Sequence, residues 1–124
     1  MKKLTREQVI KKLKKGYKDF SELDLSNIDL SNLDLSYCDL KGSNLLYTKL
    51  SNANLTYTEW SNACLSAANL FKANLSCADL SKANLSYVDL SYANLYCSDL
   101  SKSNLTCAYL FYANLYSANY LILI

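Results

Sequence analysis

The chain has 124 residues, and its 51% hydrophobic and 19% charged residues are typical of one globular domain with a core. It contains no histidine, which excludes catalysis by an imidazole base and metal sites with an imidazole ligand. With no proline and two glycines, it also lacks a glycine-rich phosphate loop or a flexible linker. The net charge of +2 combines +6 over residues 1–20 and −4 over residues 21–44 with zero over residues 45–124.

Residues 6–15 are predicted to form a short helix. The pattern Thr-Arg-Glu-Gln at residues 5–8 is a capping box, and Gly16 stands where helices commonly end. Three apolar residues share one face of this helix: Val9, Ile10 and Leu13.

The lysine-rich opposite face of this helix has two interpretations. A basic amphipathic helix can bind a membrane surface or a partner of the calmodulin type. It can also cover the first coil of the repeat structure described below, with its lysines near a group of aspartates. We favour this cap, because the end of a repeat structure exposes apolar side chains and unpaired strand edges. The aspartates are Asp24, Asp29, Asp34 and Asp39.

A five-residue repeat occupies the chain from Phe20 to Tyr120. Every fifth residue from Leu25 to Leu115 is leucine, except Trp60. The residue two positions before each of these centres is small or apolar, most often alanine, and the residue just before the centre is mostly Asp or Asn. The residue just after the centre is mostly serine, and the next one varies.

Neither a helix nor a straight strand can bury leucines that recur every five residues. In a helix they spiral around the axis, and in a strand they alternate between the two faces. The chain must therefore turn a corner within each repeat, and Ser, Asn and Asp suit such turns. The period predicts an all-β solenoid with leucine and alanine inside. The period alone does not establish how many corners close one coil.

Two stretches, AANLFKANLSCADLSKANL at residues 67–85 and YANLYCSDLSKSNL at residues 92–105, closely match the motif A(D/N)LXX. The chain therefore resembles the pentapeptide-repeat family. The resemblance implies a right-handed quadrilateral β-helix with four repeats per coil and about five coils. We divide the chain into an N-terminal α-helical cap and linker (1–19), the β-helix (20–120) and an apolar tail (121–124). Residues twenty apart should then stack in outward columns.

Large residues replace the usual ones at two places in the repeats. Leu23, Ile28 and Leu33 stand at alanine positions of the first coil, where we expect them to meet the cap. Trp60 is too large for a leucine position, so we expect it to distort its wall or to leave its side chain partly exposed.

The C-terminal end is predicted to be a contact surface. The apolar tail either folds over the last coil or pairs with a second copy end to end. Because C-terminal dimerisation is known in the resembled family, five residues are candidate contacts of a homodimer. They are Tyr120, Leu121, Ile122, Leu123 and Ile124.

Two outward columns carry polar side chains. One column holds carboxylates, which we interpret as a surface charge array with lysines at the next corner, rather than as a catalytic acid–base pair. The carboxylates are Asp39, Glu59, Asp79 and Asp99, and the lysines are Lys82 and Lys102. The other column holds amides that are expected to bond mainly to one another. These are Asn54, Asn74, Asn94 and Asn114.

Five cysteines, without an apolar signal segment at the start, favour free thiols in a reducing cytoplasm. Cys38 is expected to point inward, and Cys64 and Cys107 outward. Cys77 and Cys97 share one column at strand spacing, which can bring them to disulfide distance, but parallel side chains make the geometry of a disulfide poor. Two sulfurs without imidazole are too few for a closed zinc site, so we expect no metal and no cofactor.

Tyrosine occurs 11 times, nearly always at outward positions. Three pairs twenty residues apart are expected to stack: Tyr37/Tyr57, Tyr92/Tyr112 and Tyr96/Tyr116. Seven aromatic residues of the C-terminal half form the candidate interaction surface. They are Phe71, Tyr92, Tyr96, Tyr109, Phe111, Tyr112 and Tyr116. The alternative is that these rings only shield strand edges and corners.

These features predict a non-catalytic interaction or scaffold protein of the cytoplasm. Its protein partner is unknown, and we expect no direct nucleic-acid binding and no membrane association. An alternative follows from the resemblance, since some family members protect DNA gyrase by presenting an acidic rod in place of DNA. The zero net charge of residues 45–124 weakens that alternative. An enzyme like the hexapeptide-repeat acyltransferases is disfavoured, because those proteins have a period of six and use a histidine base.

Overall fold

The chain winds into repeated coils that follow a short helical segment. A computed structural model describes residues 1–120. Its regular elements are strand β1 (Lys2–Lys3), helix α1 (Arg6–Lys14) and strand β2 (Leu23–Asp24), and β1 pairs with β2 in parallel. Beyond β2 the backbone pairs through isolated parallel bridges. Within the described residues, no helix has both the length and the apolar character needed to cross a membrane.

Each coil contains four of the five-residue repeats. Parallel bridges join the residue before each centre to its counterpart twenty residues later, from Asp19↔Asp39 to Asp99↔Asn119. The central leucines are almost completely buried as far as Leu100, and so are the alanines two positions before them as far as Ala93. The predicted β-solenoid with inward leucine and alanine rows is therefore confirmed.

The solenoid has four walls, which we name A to D. Walls A, B, C and D contain the central residues Leu40, Leu45, Leu50 and Leu55, respectively, and each corner is named by the two walls that it joins. Residues that follow a wall-D centre therefore lie at corner D–A.

The corners use a left-handed residue that is rarely glycine. The second residue after each centre has φ near +60°, as at Asn52, where φ is 59°. This conformation costs a residue with a side chain about 1–2 kcal/mol. The Asn52 N–H donates to the Phe71 carbonyl oxygen of the next coil at 3.0 Å, and the Ala53 N–H closes the turn to the Leu50 carbonyl oxygen at 3.1 Å. Hydrogen bonds within and between coils thus hold a backbone conformation that the side chain disfavours.

The Asp or Asn before each centre stabilises the corner that follows it. At Asp34, the Ser36 N–H and hydroxyl donate to Oδ1 at 3.0 and 2.7 Å. Bonds to an ionised carboxylate favour its charged form. Hydrogen bonds from the serine two positions later therefore hold the pKa of Asp29 and of Asp34 below the ordinary value of 3.8.

Replacing Asp29 and Asp34 together by asparagine should make the free energy of unfolding fall less steeply as the pH is lowered into the acidic range. Because these pKa values are lower in the folded chain, the ionised groups stabilise it above the unfolded-state pKa, and this stabilisation is lost as the pH falls through the folded-state pKa. Asparagine keeps the acceptor oxygen but does not titrate. Between about pH 7 and about pH 2, the urea concentration at the midpoint of unfolding should fall less in the double variant than in the original chain. Equal losses would contradict this interpretation.

Trp60 lies inside the solenoid without disturbing its wall, so the expected distortion or exposure is wrong. Its side chain is fully buried, and its Nε1 donates to the Thr58 hydroxyl at 2.6 Å. Thr58 in turn donates to the Leu55 carbonyl oxygen at 2.6 Å. The Trp60 N–H still bonds to the Asp79 carbonyl oxygen of the next coil at 2.8 Å. The large ring is accommodated because its one polar group has a partner inside the coil.

The N-terminal segment packs on the first coil. Helix α1 begins after Thr5, which forms the predicted capping box with Gln8, and Gly16 with φ of 83° follows its end. Val9 is fully buried in the same apolar cluster as the central leucines. Ile10, Leu13 and Leu33 line one shared cavity. Leu33 of the first coil therefore lies at the same cavity as two apolar residues of the N-terminal segment.

Strand β1 and three cationic side chains contact polar groups of the first coil. These contacts were not predicted from the sequence. Lys3 Nζ lies 3.7 Å from the Asp24 carboxylate, and Lys18 donates to the Ser36 carbonyl oxygen at 3.0 Å. Arg6 likewise reaches a backbone carbonyl oxygen. The lysines of α1, which were expected beside the aspartates, form no salt bridge within residues 1–120. The cations that reach the first coil come instead from positions flanking the helix and from its first residue.

The other end of the solenoid is open within the described residues. The central leucines of the last coil are only partly buried, and their N–H groups have no backbone acceptor in residues 1–120. They are Leu105, Leu110 and Leu115. Tyr120 is exposed. The other predicted dimer contacts, Leu121, Ile122, Leu123 and Ile124, lie outside the described residues.

Candidate interaction surface

Five of the seven predicted surface aromatics lie at or beside corner C–D, where they form two groups of ring contacts. Phe71, Tyr92 and Tyr112 follow wall C in three successive coils. The ring centres of Phe71 and Tyr92 are 5.6 Å apart, edge to face, and those of Tyr92 and Tyr112 are 5.1 Å apart and stacked. Tyr109 and Phe111 are next to them, with ring centres 6.2 Å apart. We call these five residues the aromatic corner.

The aromatic corner projects into solvent. Tyr112 is 81% exposed, Phe111 65%, Tyr109 54% and Tyr92 51%. Single exposed apolar residues are common on proteins, whereas contiguous rings often mark a contact surface. Tyrosine suits such a contact because it combines a large apolar area with a hydroxyl group and few rotatable bonds.

The other two predicted surface rings stack at a different corner. Tyr96 and Tyr116 lie at corner D–A with ring centres 5.9 Å apart. Tyr37 and Tyr57 stack at the same corner in the N-terminal half, at 5.0 Å. All three predicted tyrosine pairs are thus confirmed, but within residues 1–120 no ring contact joins the pair Tyr96/Tyr116 to the aromatic corner.

Two carboxylates of the acidic column on wall A contact a lysine that was not expected there. Lys41 Nζ lies 3.1 Å from the Glu59 carboxylate and 3.7 Å from that of Asp39. The hydrogen bond with Glu59 and the charge of Asp39 raise the pKa of Lys41. Lys82 and Lys102, the expected partners, form no salt bridge in the described part of the chain. Lys41 follows its wall-A centre directly, one residue closer than the corner position of the other two lysines.

The remaining carboxylates of this column are engaged in the turns. Asp79 accepts the Ser81 N–H and hydroxyl at 3.0 and 2.6 Å, and Asp99 accepts the Ser101 N–H at 2.9 Å. These bonds support the local backbone, as a structural interpretation of the column expects.

The side chains of the amide column also bond mainly to the backbone of the turns that follow them. The side-chain oxygens of Asn54 and Asn74 accept the N–H two residues later, at 3.2 and 3.1 Å. Within residues 1–120, the one amide–amide bond of this column runs from Asn114 to Asn94 at 3.3 Å. The expectation that these amides bond mainly to one another is therefore wrong, because the turn N–H competes for the same oxygen.

All five cysteines are free thiols. Cys38 is buried as expected, and burial raises its pKa to about 11, which keeps the thiol protonated and unreactive. Cys97 and Cys107 are exposed, whereas Cys64 and Cys77 are half-buried. Cys64 is less accessible than expected because it lies along wall B and not at a corner.

A family model described as Pentapeptide repeats matches eight copies in the chain. The matches cover residues 19–46, 48–86, 63–101 and 83–119. Among curated proteins, no significant match to the sequence was found.

Solved structures of other pentapeptide repeat proteins are similar to this chain. One, from the thylakoid lumen of Arabidopsis thaliana, is 27% identical with a TM-score of 0.70, and the match covers 73% of this chain and 63% of that one. One from Nostoc is 28% identical with a TM-score of 0.65, and the match covers 88% and 97%. One from the cyanobacterium Cyanothece is 22% identical with a TM-score of 0.55, covers 90% and 96%, and shows likeness of fold alone. The chain thus spans less than two thirds of the Arabidopsis protein.

Proposed function

Since this chain belongs to the pentapeptide-repeat family, we propose that it is a non-catalytic interaction module that binds a partner protein through the aromatic corner. One observation carries the proposal. Leucine and alanine fill the inside of the coils, while five neighbouring rings lie on the outside of the last coils. Contacts with other molecules are therefore made on the outer surface, where tyrosine is typical of the residues that dominate protein binding.

Capture of the partner from the native cell tests this proposal. A full chain that carries Phe111→Ala and Tyr112→Ala should recover at least about tenfold less partner than the original chain, because such anchors contribute most of the binding energy. The matched control carries Tyr37→Ala and Tyr57→Ala, which removes a stacked pair at corner D–A and should recover the partner normally. Equal recovery by both variants would contradict the assignment. Because all four residues are exposed, both variants should keep nearly the melting temperature of the original chain.

Protection of DNA gyrase by DNA mimicry is the alternative function. The distribution of surface charge favours it less than partner binding through the aromatic corner. Such a mimic needs a continuous acidic face. On wall A the acidic column is interrupted by Lys41, which lies within 4 Å of both Asp39 and Glu59.

A homodimer through the C-terminal end is also part of the proposal. The partly exposed leucines of the last coil support it, and so do their N–H groups, which have no backbone acceptor in residues 1–120, because another strand could bond to them. Deleting residues 121–124 should halve the mass in solution measured by light scattering. The same monomeric mass for both forms would exclude the dimer.

The finer geometry and the location of the protein are proposed here as well. Bridges between residues twenty apart support about five coils, and the burial of Val9 supports α1 as a cap, while the right-handed winding rests on the family. A crystal structure tests these points. The five free thiols support a reducing compartment and thus a cytoplasmic location, which imaging of a fluorescent fusion tests.

A further inference from the structure

Cys77 and Cys97 lie one above the other at corner D–A, in successive coils. Both are the second residue after a central leucine, and their φ angles are 59° and 57°. Parallel bridges before and after them align the two coils. These bridges are Asn74↔Asn94 and Asp79↔Asp99. The two Cα–Cβ bonds therefore point in nearly the same direction from neighbouring coils.

The parallel direction of these two side chains disfavours a disulfide between their sulfurs. Neighbouring strands are about 4.8 Å apart. Parallel cysteine side chains therefore hold their sulfurs at about the same separation, whereas a disulfide needs about 2.05 Å between the sulfurs and about 3.8 Å between the Cβ atoms. Both thiols are free. Two thiols held side by side at this distance leave room for one atom between them.

A metal ion with two ligands in a line matches this separation. Metal–thiolate bonds of about 2.3 Å on opposite sides of one ion place the sulfurs about 4.6 Å apart. Soft thiolate ligands bind copper(I), zinc and iron–sulfur clusters. Zinc sites and the clusters take four ligands, so a site of two sulfurs alone fits copper(I). Within the described residues, no group of three or more possible ligands surrounds a common point. We expected no metal from the sequence because two sulfurs are too few for a closed zinc site. This proposal departs from that expectation, since a linear ion needs only two sulfurs.

The surroundings of the two thiols leave them open to an ion. Cys97 is exposed and Cys77 half-buried, so solvent reaches the pair. Two phenols lie beside the sulfurs: a hydrogen bond with Cys77 raises the pKa of Tyr57, and one with Cys97 raises the pKa of Tyr96. Each cysteine of the pair therefore has a phenol of its own corner beside it.

We propose that Cys77 and Cys97 together bind one copper(I) ion. Each thiol releases one proton to water, and the two thiolates bind Cu⁺ as a linear S–Cu–S unit with a net charge of −1. No electron is transferred in this step. The site lies at corner D–A and the aromatic corner at C–D, so this proposal does not depend on the proposed partner binding.

Anaerobic titration of the full chain with copper(I), in competition with a chromogenic copper(I) chelator, tests the site. We expect one tightly bound ion per chain. Cys77→Ser and Cys97→Ser should each weaken binding at least about a hundredfold, because each removes one of two linked ligands. Serine suits this corner, since Ser117 occupies the same column one coil later with φ of 59°. Cys107→Ser is the matched control, because this exposed cysteine has no thiol beside it in its column, and it should bind as the original chain does.

A second pair built at another corner tests the geometry itself. Tyr87 lies one coil before Cys107 in the column at corner B–C, and their φ angles are 59° and 57°, as at the original pair. Tyr87→Cys should therefore raise the capacity to two copper(I) ions per chain. This variant gains a site, so its result does not depend on whether the serine variants fold well.

Three outcomes would overturn the proposal. The first is that the original chain binds copper(I) no more tightly than Cys77→Ser does. The second is that Tyr87→Cys gains no second ion. The third is a doubling of the mass in solution caused by copper(I), which would show that the ion joins thiols of separate chains.

Discussion

Replacing Trp60 with alanine is expected to lower the free energy of unfolding by about 3–5 kcal/mol. The indole is fully buried, and its removal leaves a large cavity in wall A together with a Thr58 hydroxyl that loses its donor. Each coil contacts only its neighbours, so the cavity cannot be filled by rearrangement of distant parts of the chain. Urea unfolding should be followed by circular dichroism, because Trp60 is the only tryptophan and the variant has lost this fluorophore.

The matched control for this prediction is Trp60→Leu. Leucine occupies the same wall in the coils on either side, at Leu40 and Leu80, and both are almost fully buried. The leucine variant should therefore lose clearly less stability than the alanine variant. If Trp60→Ala unfolded at the same urea concentration as the original chain, the burial of the indole would be incorrect.

Replacing Leu75 with alanine is expected to cost about 2–5 kcal/mol of unfolding free energy. Leu75 is fully buried in the middle of wall D, between the central residues Leu55 and Leu95. Truncation removes apolar contacts with both neighbouring coils, and it leaves a cavity too well enclosed for water to compensate. Equilibrium unfolding in urea measures this loss directly.

Leu115→Ala is the matched control for Leu75→Ala. Leu115 lies on the same wall, two coils later, but it is only partly buried and has no following coil within the described residues. In the monomer, at a protein concentration low enough to dissociate the proposed dimer, its truncation should therefore cost much less than that of Leu75. Similar losses at both positions would mean that burial does not decline toward the C-terminal end, and this outcome would argue that a second copy or the tail covers Leu115.

The repeat made most of the solenoid predictable, because a period of five specifies which side chains share a direction once the chain turns. The inward position of Leu75, the buried thiol of Cys38 and the stacked rings of Tyr92 and Tyr112 all follow from that register. Candidate surface residues were found by the same rule, since side chains twenty apart lie one coil apart.

Other features could not be predicted because they depend on neighbours outside the repeat. Strand β1 has two residues, too few for any pattern, and it forms only because β2 offers an unpaired edge. The burial of the Trp60 side chain depends on the hydroxyl of Thr58, two residues away. The volume of the indole alone had led us to expect a distorted wall or partial exposure. Lys41 was missed because the stacking rule compares equal positions, whereas a salt bridge needs only reach.

The winding of this chain follows from its amino-acid pattern, because leucines five residues apart cannot all be buried unless the backbone turns at every repeat. Which outward side chains form a site depends on the folded coils. The linear sequence gives each one a column, but the corner conformation and the distance between coils determine which ones meet. The same spacing of about 4.8 Å stacks the rings of the aromatic corner and places Cys77 and Cys97 one above the other in successive coils.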